Sequence, residues 1–351
     1  MNMAITGNRG MGKTSVLMKF EDIGRRSECL TLRLSNYEGN VKNIIDFTDY
    51  ITANLKREIL SRKPVEKKIE GMKDWIGTLK PTIGWRDISL TVERQQVVQE
   101  MFRERLAKLW SETKDDYKAI LLLIDEAESL ESVEGILTFL REVFQRISTD
   151  QKYMVVLAGK LNFPERMSES FSPLNRFFPS SRLTPFKEDE VRSYIIRKLA
   201  TVDVGIDEDV LQYIAKRCEG HPYVLVAMCY LLFDSLSEKE NHLTKEILER
   251  SDEKINARLA QDFFSPMYHP LTPRAKEIIL KIASNIKGLE FTFNEAVDWV
   301  GKPKNFVSPY FKELLRKGVL NKPERGRYQI FHTLFLEYLK KMAEEEERKH
   351  R

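Results

Sequence analysis

The chain has few cysteines, no long apolar stretch and little net charge, and each shortage excludes a class of protein. Its three cysteines, Cys29, Cys218 and Cys229, show no Cys-x-x-Cys spacing, which argues against a disulfide framework and against a zinc site. No run of 18 or more apolar residues is present, and the first ten residues lack the charged and apolar segments of a secretory signal. We therefore expect a cytoplasmic protein that makes no use of a membrane.

The overall charge balance indicates no partner by itself. The sequence holds 57 Lys and Arg against 53 Asp and Glu, a formal net charge of +4, so only a local concentration of charge could indicate a nucleic-acid binder. Hydrophobic residues make up 42% of the 351 residues. A chain of this length and composition can form two or three globular domains, each with its own core.

A phosphate-binding loop is predicted at the start of the chain. The stretch GNRGMGKTS, residues 7–15, matches G-x-x-x-x-G-K-[ST] and lies between a β-prone run, MAIT, and a stretch with helical apolar spacing. Glycines allow successive backbone N–H groups to point at phosphate oxygens. Lys13 is expected to reach the β- and γ-phosphates, and the Thr14 hydroxyl to bind Mg²⁺. The predicted nucleotide contacts are Gly7, Asn8, Arg9, Gly10, Met11, Gly12, Lys13, Thr14 and Ser15.

A second predicted strand carries the carboxylates that such a loop needs. Residues 120–124 are a continuous apolar run, typical of a parallel strand buried on both faces, and Asp125 follows at the end where ligands bind in open α/β sheets. Asp125 is predicted to hold Mg²⁺, and Glu126 to orient and polarise an attacking water. This carboxylate favours hydrolysis and argues against a small-molecule kinase. Glu128 is expected on a solvated helix surface.

The remaining periodicity of residues 1–183 predicts a doubly wound α/β sheet. Residues 71–93 contain Gly, Pro, Trp75 and Trp85 and favour a hairpin or extended loop. The two tryptophans are expected to pack on the domain, with contact to a partner as the alternative. Further strands are predicted at 29–35 and 153–160, and helices at 41–62, 94–111 and 133–147.

The order of the motifs resembles a known family. GNRGMGKTS, LLLIDEAESL, VVLAGK, SPLNRFFPSSRLTPFKEDEV and EGHPYVLVAMCYLL occur in the sequence and spacing of the archaeal-type AAA+ ATPases related to origin-recognition and STAND ATPases. The likeness covers most of the chain, and its specific part is the combination of GHPY with a winged-helix-like C-terminal segment. It implies a P-loop NTPase fold with an AAA+-like parallel sheet, and ATP with Mg²⁺ as cofactors.

The resemblance also implies a sensor and a catalytic arginine. Lys160 or Asn162 falls where the family has its γ-phosphate sensor, although a small polar side chain is commoner at the position of Lys160. Arg176, rather than Arg182, is expected to contact the γ-phosphate of a neighbouring subunit and to stabilise charge during hydrolysis. An arginine that only pairs with local acids is the alternative.

Two further implications concern the lid and the N-terminus. The resemblance implies that His221 and Pro222 of GHPY belong to the segment that reports nucleotide state to the lid. Without the resemblance, the residues indicate only that Gly220 ends one helix and Pro222 begins the next. Relatives carry an upstream helix and a Gly-Arg segment beside the adenine, so a loop that begins at residue 7 predicts a chain truncated relative to them.

The second half of the chain predicts a helical lid and a winged helix-turn-helix. Apolar periodicity at 187–200, 207–218 and 222–236 predicts a lid domain, 184–265, that is helical throughout. In residues 266–351, TPRAKEIILKIAS, TFNEAVDWVG and KNFVSPYFKELLRKGVL predict three helices, and LNKPERGRYQIFH predicts a hairpin. The third helix is expected to turn inward Phe306, Tyr310, Leu314 and Leu315.

A basic segment in this third domain predicts contact with double-stranded DNA. Residues 302–327 hold eight basic and two acidic residues, the charge pattern of a protein that binds the phosphate backbone. The third helix would enter the major groove and the hairpin would touch the backbone or the minor groove. The predicted contacts are Lys302, Lys304, Asn305, Ser308, Lys312, Lys322, Arg325 and Arg327.

Two hypotheses of different classes follow. In the first, an ATP-binding and ATP-hydrolysing machine couples nucleotide state to DNA binding through the winged helix. In the second, an ATP-dependent signalling switch uses the winged helix as an intramolecular latch or as a binding site for protein partners. Salt-sensitive DNA affinity is required only by the first, and a homo-oligomer only if Arg176 acts on a neighbouring subunit.

Overall fold

The computed structural model of the protein describes residues 2–35, 41–62, 92–147, 151–161, 163–164, 167 and 173–350. The chain divides into two units, Met1–Thr184 and Pro185–Arg351. In the sequence-based division, the first boundary lay at 183/184 and a second at 265/266.

The first unit is built on a parallel sheet. Its described strands lie in the order β2-β3-β4-β1-β5, and all neighbouring pairs are parallel. Strand β4 lies between β3 and β1, with Ile124 opposite Leu157 and Ile5 opposite Ala158. The chain segments that follow β1, β4 and β3 therefore emerge side by side at one edge of the sheet. The strands are β1 Met3–Thr6, β2 Leu30–Ser35, β3 Ile120–Asp125, β4 Tyr153–Gly159 and β5 Ser180–Arg182.

Helices accompany this sheet, so the predicted α/β fold with a parallel sheet is confirmed. The helix over Ile136–Ile147 buries Phe139, Leu140 and Val143 among its apolar residues, as helical spacing of apolar residues predicts. The described helices of the first unit are α1 Lys13–Arg26, α2 Ile44–Arg62, α3 Val92–Thr113, α4 Ile136–Ile147 and α5 Leu174–Phe177. Of the predicted loop 71–93, residues 71–91 with Trp75 and Trp85 lie outside the described residues, and the last two begin α3.

The second unit begins with helices and a short strand pair. The helices are α6 Glu188–Ala200, α7 Glu208–Arg217, α8 Pro222–Asp234 and α9 Lys245–Leu259, and a π-helical turn, Ala260–Phe264, leads into α10 Ser265–Tyr268. The prediction of an entirely helical segment was wrong, because β6 Gly205–Ile206 pairs in parallel with β7 His242–Leu243. Two-residue strands are too short to show an alternating pattern in the sequence.

The rest of the second unit contains the predicted three helices and hairpin. The elements, in chain order, are α11 Pro273–Asn285, β8 Glu290–Thr292, α12 Phe293–Val300, α13 Lys304–Arg316, β9 Leu320–Glu324, β10 Arg327–Ile330 and α14 Thr333–His350. Strand β10 pairs antiparallel with β9 and with β8. Thr272 and Thr292 cap α11 and α12 through their side chains, and Gly301, at φ 66°, ends α12.

The buried face of α13 differs from the predicted one. Val307, Phe311 and Leu314 are buried, whereas Phe306 and Tyr310 are only half-buried, as is Leu315. The helix is rotated by about one residue relative to the predicted face, so one of the four residues expected inside is fully buried.

A single hydrophobic core extends through the second unit, from Val191 in α6 to Ala343 in α14. It includes residues of both predicted domains, such as Leu231 of α8 and Ile278 of α11. The division into a lid, 184–265, and a winged helix, 266–351, stays a prediction. None of the described helices has the length and apolarity needed to cross a membrane.

Candidate nucleotide site and basic surface

The predicted phosphate-binding loop joins β1 directly to α1. Gly10 and Gly12 have φ of 78° and 84°, a left-handed conformation that side chains with a Cβ rarely adopt. A Cβ added at Gly7 would lie 3.3 Å from the Cβ atoms of both Leu183 and Met11, so the loop is tightly packed where it leaves the sheet. Gly12 caps α1, and the N-terminus of the helix, which favours anions, opens from the loop.

Lys13 lies against the loop that precedes it. Its Nζ donates hydrogen bonds to the carbonyl oxygens of Gly7, at 2.9 Å, and Asn8, at 3.0 Å. Burial lowers the pKa of Lys13, while the carboxylates of Glu128 and Asp125 act in the opposite direction. An ammonium that spans a curled loop beside a helix N-terminus has the chemistry to bind phosphate oxygens.

Thr14 and Asp125 are brought together by the sheet. The Thr14 hydroxyl donates a 2.6 Å hydrogen bond to Oδ2 of Asp125, and Oδ1 accepts the backbone N–H of Glu126 at 2.9 Å. Asp125 is 4% exposed. Hydroxyl and carboxylate oxygens are the donors that Mg²⁺ prefers, so this donor set fits the predicted metal.

Glu126 lies in the turn between β3 and a short 3₁₀-helix, Ala127–Ser132. Its φ is 52°, and its backbone carbonyl accepts the Ser129 hydroxyl at 2.6 Å. The residue is exposed, so water can reach its carboxylate. A strained backbone at the end of a sheet strand is common at functional sites.

Glu128 lies beside the candidate site, at a position that the sequence analysis did not predict. Its expected position on a solvated surface was wrong, because the side chain is only 18% exposed and its Oε1 lies 3.6 Å from Nζ of Lys160. The 3₁₀-helix that follows β3 determines this position, since it returns the chain towards the end of β4. The acidic spacing Asp125, Glu126, Glu128 was the only available indication in the sequence.

Lys160 follows β4 directly, and therefore emerges between the loop of β1 and the carboxylates that follow β3. Asn162, the alternative sensor residue, lies outside the described residues. Arg176 is exposed on α5, and Arg182 is exposed at the end of β5, in register with Thr6. The exposure of Arg176 is compatible with contact to another subunit, and its role stays a prediction.

His221 and Pro222 lie in the second unit, at the start of α8. His221 is 5% exposed, and its ring centroid lies 5.4 Å from that of Phe263 and 5.9 Å from that of His332. Gly220 has φ of 68°, and an added Cβ would lie 2.0 Å from the carbonyl oxygen of Phe186. Glycine is therefore required at this position.

A polar network beside His221 was not predicted from the sequence. His332 Nδ1 accepts the backbone N–H of Leu334 at 3.1 Å, and Nε2 lies 3.1 Å from the Cys218 carbonyl oxygen. The acceptor role of Nδ1 assigns the proton to Nε2. Burial lowers the pKa of His332, which also favours the neutral ring. Nearby, Arg217 donates two 2.6 Å hydrogen bonds to Glu337.

The basic segment forms a solvent-facing surface on α13 and the β9–β10 hairpin. Lys304, Ser308, Lys312 and Arg316 recur every four residues and are exposed, which aligns them in one solvent-facing row along α13. Glu313 is engaged by Thr272, whose backbone N–H and hydroxyl donate to it at 2.9 and 2.8 Å. The predicted DNA contacts are all exposed: Lys302, Lys304, Asn305, Ser308, Lys312, Lys322, Arg325 and Arg327.

Comparisons with known proteins agree with this description of the first unit. Residues 1–167 match the AAA domain family. In structure, the chain is similar to the Walker-type ATPase of Pyrococcus abyssi (13% identity, TM-score 0.60, 96% of this chain and 90% of that chain). It is equally similar to the ORC2 protein of Aeropyrum pernix, in ADPNP–ADP complexes (13% identity, TM-score 0.60, 99% and 88%). These two likenesses concern the fold.

A sequence relative is larger than this chain. A probable disease resistance protein of Arabidopsis thaliana is 24% identical over an alignment of 257 residues that covers 68% of this chain and 29% of that protein. The chain thus spans less than a third of the relative's length.

Proposed function

We propose that this chain, whose residues 1–167 match the AAA domain family, is an ATPase whose nucleotide state controls binding of duplex DNA by the second unit. ATP is the proposed nucleotide, with Mg²⁺. The loop from Gly7 to Ser15 would hold the phosphates, Lys13 would bind their oxygens, and Thr14 and Asp125 would hold the metal. The bound metal would neutralise charge on the phosphates.

Glu126 is the proposed general base of hydrolysis. Its carboxylate follows the buried Asp125 and is exposed to water, so it can accept a proton from a water that attacks the terminal phosphate. Arg176 would stabilise the charge that develops on the transferred group, from a neighbouring copy of the chain. His221 and Pro222 are proposed to respond to the nucleotide.

The DNA part of the proposal rests on the exposed residues of the basic segment, 302–327. Three helices followed by an antiparallel hairpin are the elements of a winged helix-turn-helix, and the basic residues of α13 are exposed to solvent. Lys304, Asn305, Ser308 and Lys312 would approach base edges and phosphates in the major groove. Lys322, Arg325 and Arg327 would contact the backbone from the hairpin.

Duplex binding across a salt series tests this proposal. The Glu126→Gln protein with ATP and Mg²⁺ is expected to bind with a steep dependence on salt, because each neutralised phosphate releases counterions. Replacing Lys322, Arg325 and Arg327 by Ala should reduce the slope of log affinity against log salt by about three. Substitution of Lys245, Lys254 and Arg274, which are exposed outside the basic segment, provides a control with the same charge change. No binding at low salt in any nucleotide state would refute the DNA proposal.

One observation favours a second candidate, a signalling switch. The bidentate Arg217–Glu337 pair and the His332–Cys218 contact join α7 to the C-terminal helix α14 within one continuous core. Such packing suits a module that works as an intramolecular latch or binds a protein partner. If DNA binding is absent, nucleotide-dependent protection of α14 from hydrogen exchange would support the latch.

A further inference from the structure

The ion pair between Glu128 and Lys160 lies beside the proposed nucleotide site, and Glu128 has no part in the reaction described above. Oε1 of Glu128 lies 3.6 Å from Nζ of Lys160. The second oxygen, Oε2, is buried and has no hydrogen-bond partner among the described residues. A buried acceptor without a hydrogen-bond partner lowers the stability of the fold. The carboxylate at this position therefore calls for a functional explanation.

Glu128 acts on two ammonium groups at once. Among the charged groups that influence Lys13, Glu128 has the largest effect, and Lys160 acts in the opposite direction. Lys13 already donates to two carbonyl oxygens of the loop. Glu128 thus pairs with Lys160 and also raises the pKa of Lys13.

The two partners differ in their freedom to move. The Lys160 side chain is 54% exposed and that of Glu128 18%, and a solvated lysine changes rotamer easily. Lys160 lies between the loop and Asp125 because β4 lies between β1 and β3. Lys160 is therefore the partner that can turn towards an anion held on the loop, and Glu128 is the more confined of the two.

We infer that Glu128 is a positioning residue that holds Lys160 when ADP is bound and yields it to the γ-phosphate when ATP is bound, which sets the preference for ATP over ADP. This inference rests on the proposed nucleotide site. The exchange forms no covalent bond. Lys160 leaves one anion for another, and the multiply charged phosphate is the stronger acceptor. ADP lacks the phosphate that competes for Lys160, so the ion pair remains.

Nucleotide affinity, measured by titration calorimetry with Mg²⁺ and either ADP or the non-hydrolysable triphosphate ADPNP, tests the inference. E128Q is expected to raise affinity for ADPNP about tenfold and for ADP about twofold, because the triphosphate no longer competes with a carboxylate for Lys160. K160A is expected to weaken ADPNP binding about tenfold and ADP binding much less. In the K160A background, E128Q should change both affinities by the same factor, since the coupled partner is gone.

Two controls separate this inference from other effects. E134Q removes the same charge at an exposed position six residues later in the chain and should leave the ADPNP-to-ADP affinity ratio unchanged, and E128D should keep the wild-type preference. An ADPNP-to-ADP affinity ratio that E128Q leaves unchanged would overturn the inference. So would a change in this ratio that E128Q causes equally in wild type and in K160A. If E128Q fails to fold in a thermal melt, an unchanged ratio in K160A overturns it equally. A wild-type protein that binds neither nucleotide would refute the proposed nucleotide site as well.

Discussion

Thr14 and Asp125 are 111 positions apart in the chain, yet the Thr14 hydroxyl donates a 2.6 Å hydrogen bond to the Asp125 carboxylate. The two groups lie at the start of α1 and the end of β3, and the order of strands in the sheet brings these ends together. Because both are oxygen donors, the pair can hold a hard divalent cation.

Loss of either oxygen donor is expected to remove the effect of Mg²⁺ on nucleotide binding. Thr14→Ala and Asp125→Asn should each weaken ADPNP binding about tenfold or more in Mg²⁺ and should change it little in EDTA. Thr14→Ser keeps the hydroxyl and should behave like wild type. Titration calorimetry of the three variants in both buffers checks this. Full Mg²⁺-dependent affinity in Asp125→Asn would refute the metal assignment.

Glu126→Gln is expected to separate binding from hydrolysis. Without the carboxylate that accepts the proton, phosphate release should fall by about 100-fold or more, while ADPNP affinity stays within about twofold of wild type. A phosphate-release assay and a binding titration on the same preparation measure the two quantities. The Glu134→Gln protein is the matched control. Normal turnover in Glu126→Gln would exclude Glu126 as the base.

Arg176 is expected to act between subunits. If it does, the hydrolysis rate per molecule of wild type rises with protein concentration, and Arg176→Ala lowers that rate about 1,000-fold and removes the concentration dependence. Arg182→Ala tests the other exposed arginine of the segment. A rate and a concentration dependence that are both unchanged in Arg176→Ala would show that the arginine has no role in trans.

The second unit is expected to lose stability as the pH falls below the unfolded pKa of His332. Burial lowers the pKa of His332 below its ordinary value of 6.5, so the unfolded chain binds more protons than the folded chain just below that pH. The stabilisation from the neutral ring is thus complete above pH 6.5 and decreases as the pH falls towards the folded pKa. Charges on Arg217, Glu219 and Glu337 also act on the ring.

Thermal melts at pH 7.5 and pH 5 of wild type and His332→Gln check this expectation. Gln retains a hydrogen-bond donor but does not titrate. The melting temperature of His332→Gln should therefore fall less between the two pH values than that of wild type. His269→Gln, at an exposed position, controls for the loss of a histidine. Equal decreases in melting temperature in wild type and His332→Gln would contradict the assignment of the pH dependence to His332.

The geometry of the candidate nucleotide site could be predicted largely from the sequence because a phosphate-binding pattern constrains local spacing. Lys13 and Thr14 follow Gly12 directly, and Asp125 directly ends an apolar run, so short patterns contain the relevant residues. Glu128 could not be assigned in this way. Its burial depends on the 3₁₀-helix after β3 and on Lys160 after β4, and neither relationship is local in the sequence.

Two features of the second unit could not be predicted from the sequence. In α13, Phe306, Tyr310 and Leu314 form one apolar stripe, and Val307, Phe311 and Leu314 form another, so periodicity alone cannot select the buried face. The structure buries the second stripe. The contact between His332 and Cys218 spans 114 positions, and only the tertiary fold determines it.

The continuous core of the second unit limits where the chain can be divided to make hybrid proteins. Leu231 and Ile278, on opposite sides of residue 265, belong to one cluster, so a cut there would expose apolar surface on both fragments. The C-terminal segment is therefore not a cassette that can be transplanted alone, and hybrids between related chains should be joined near Thr184, where the two units meet in sequence.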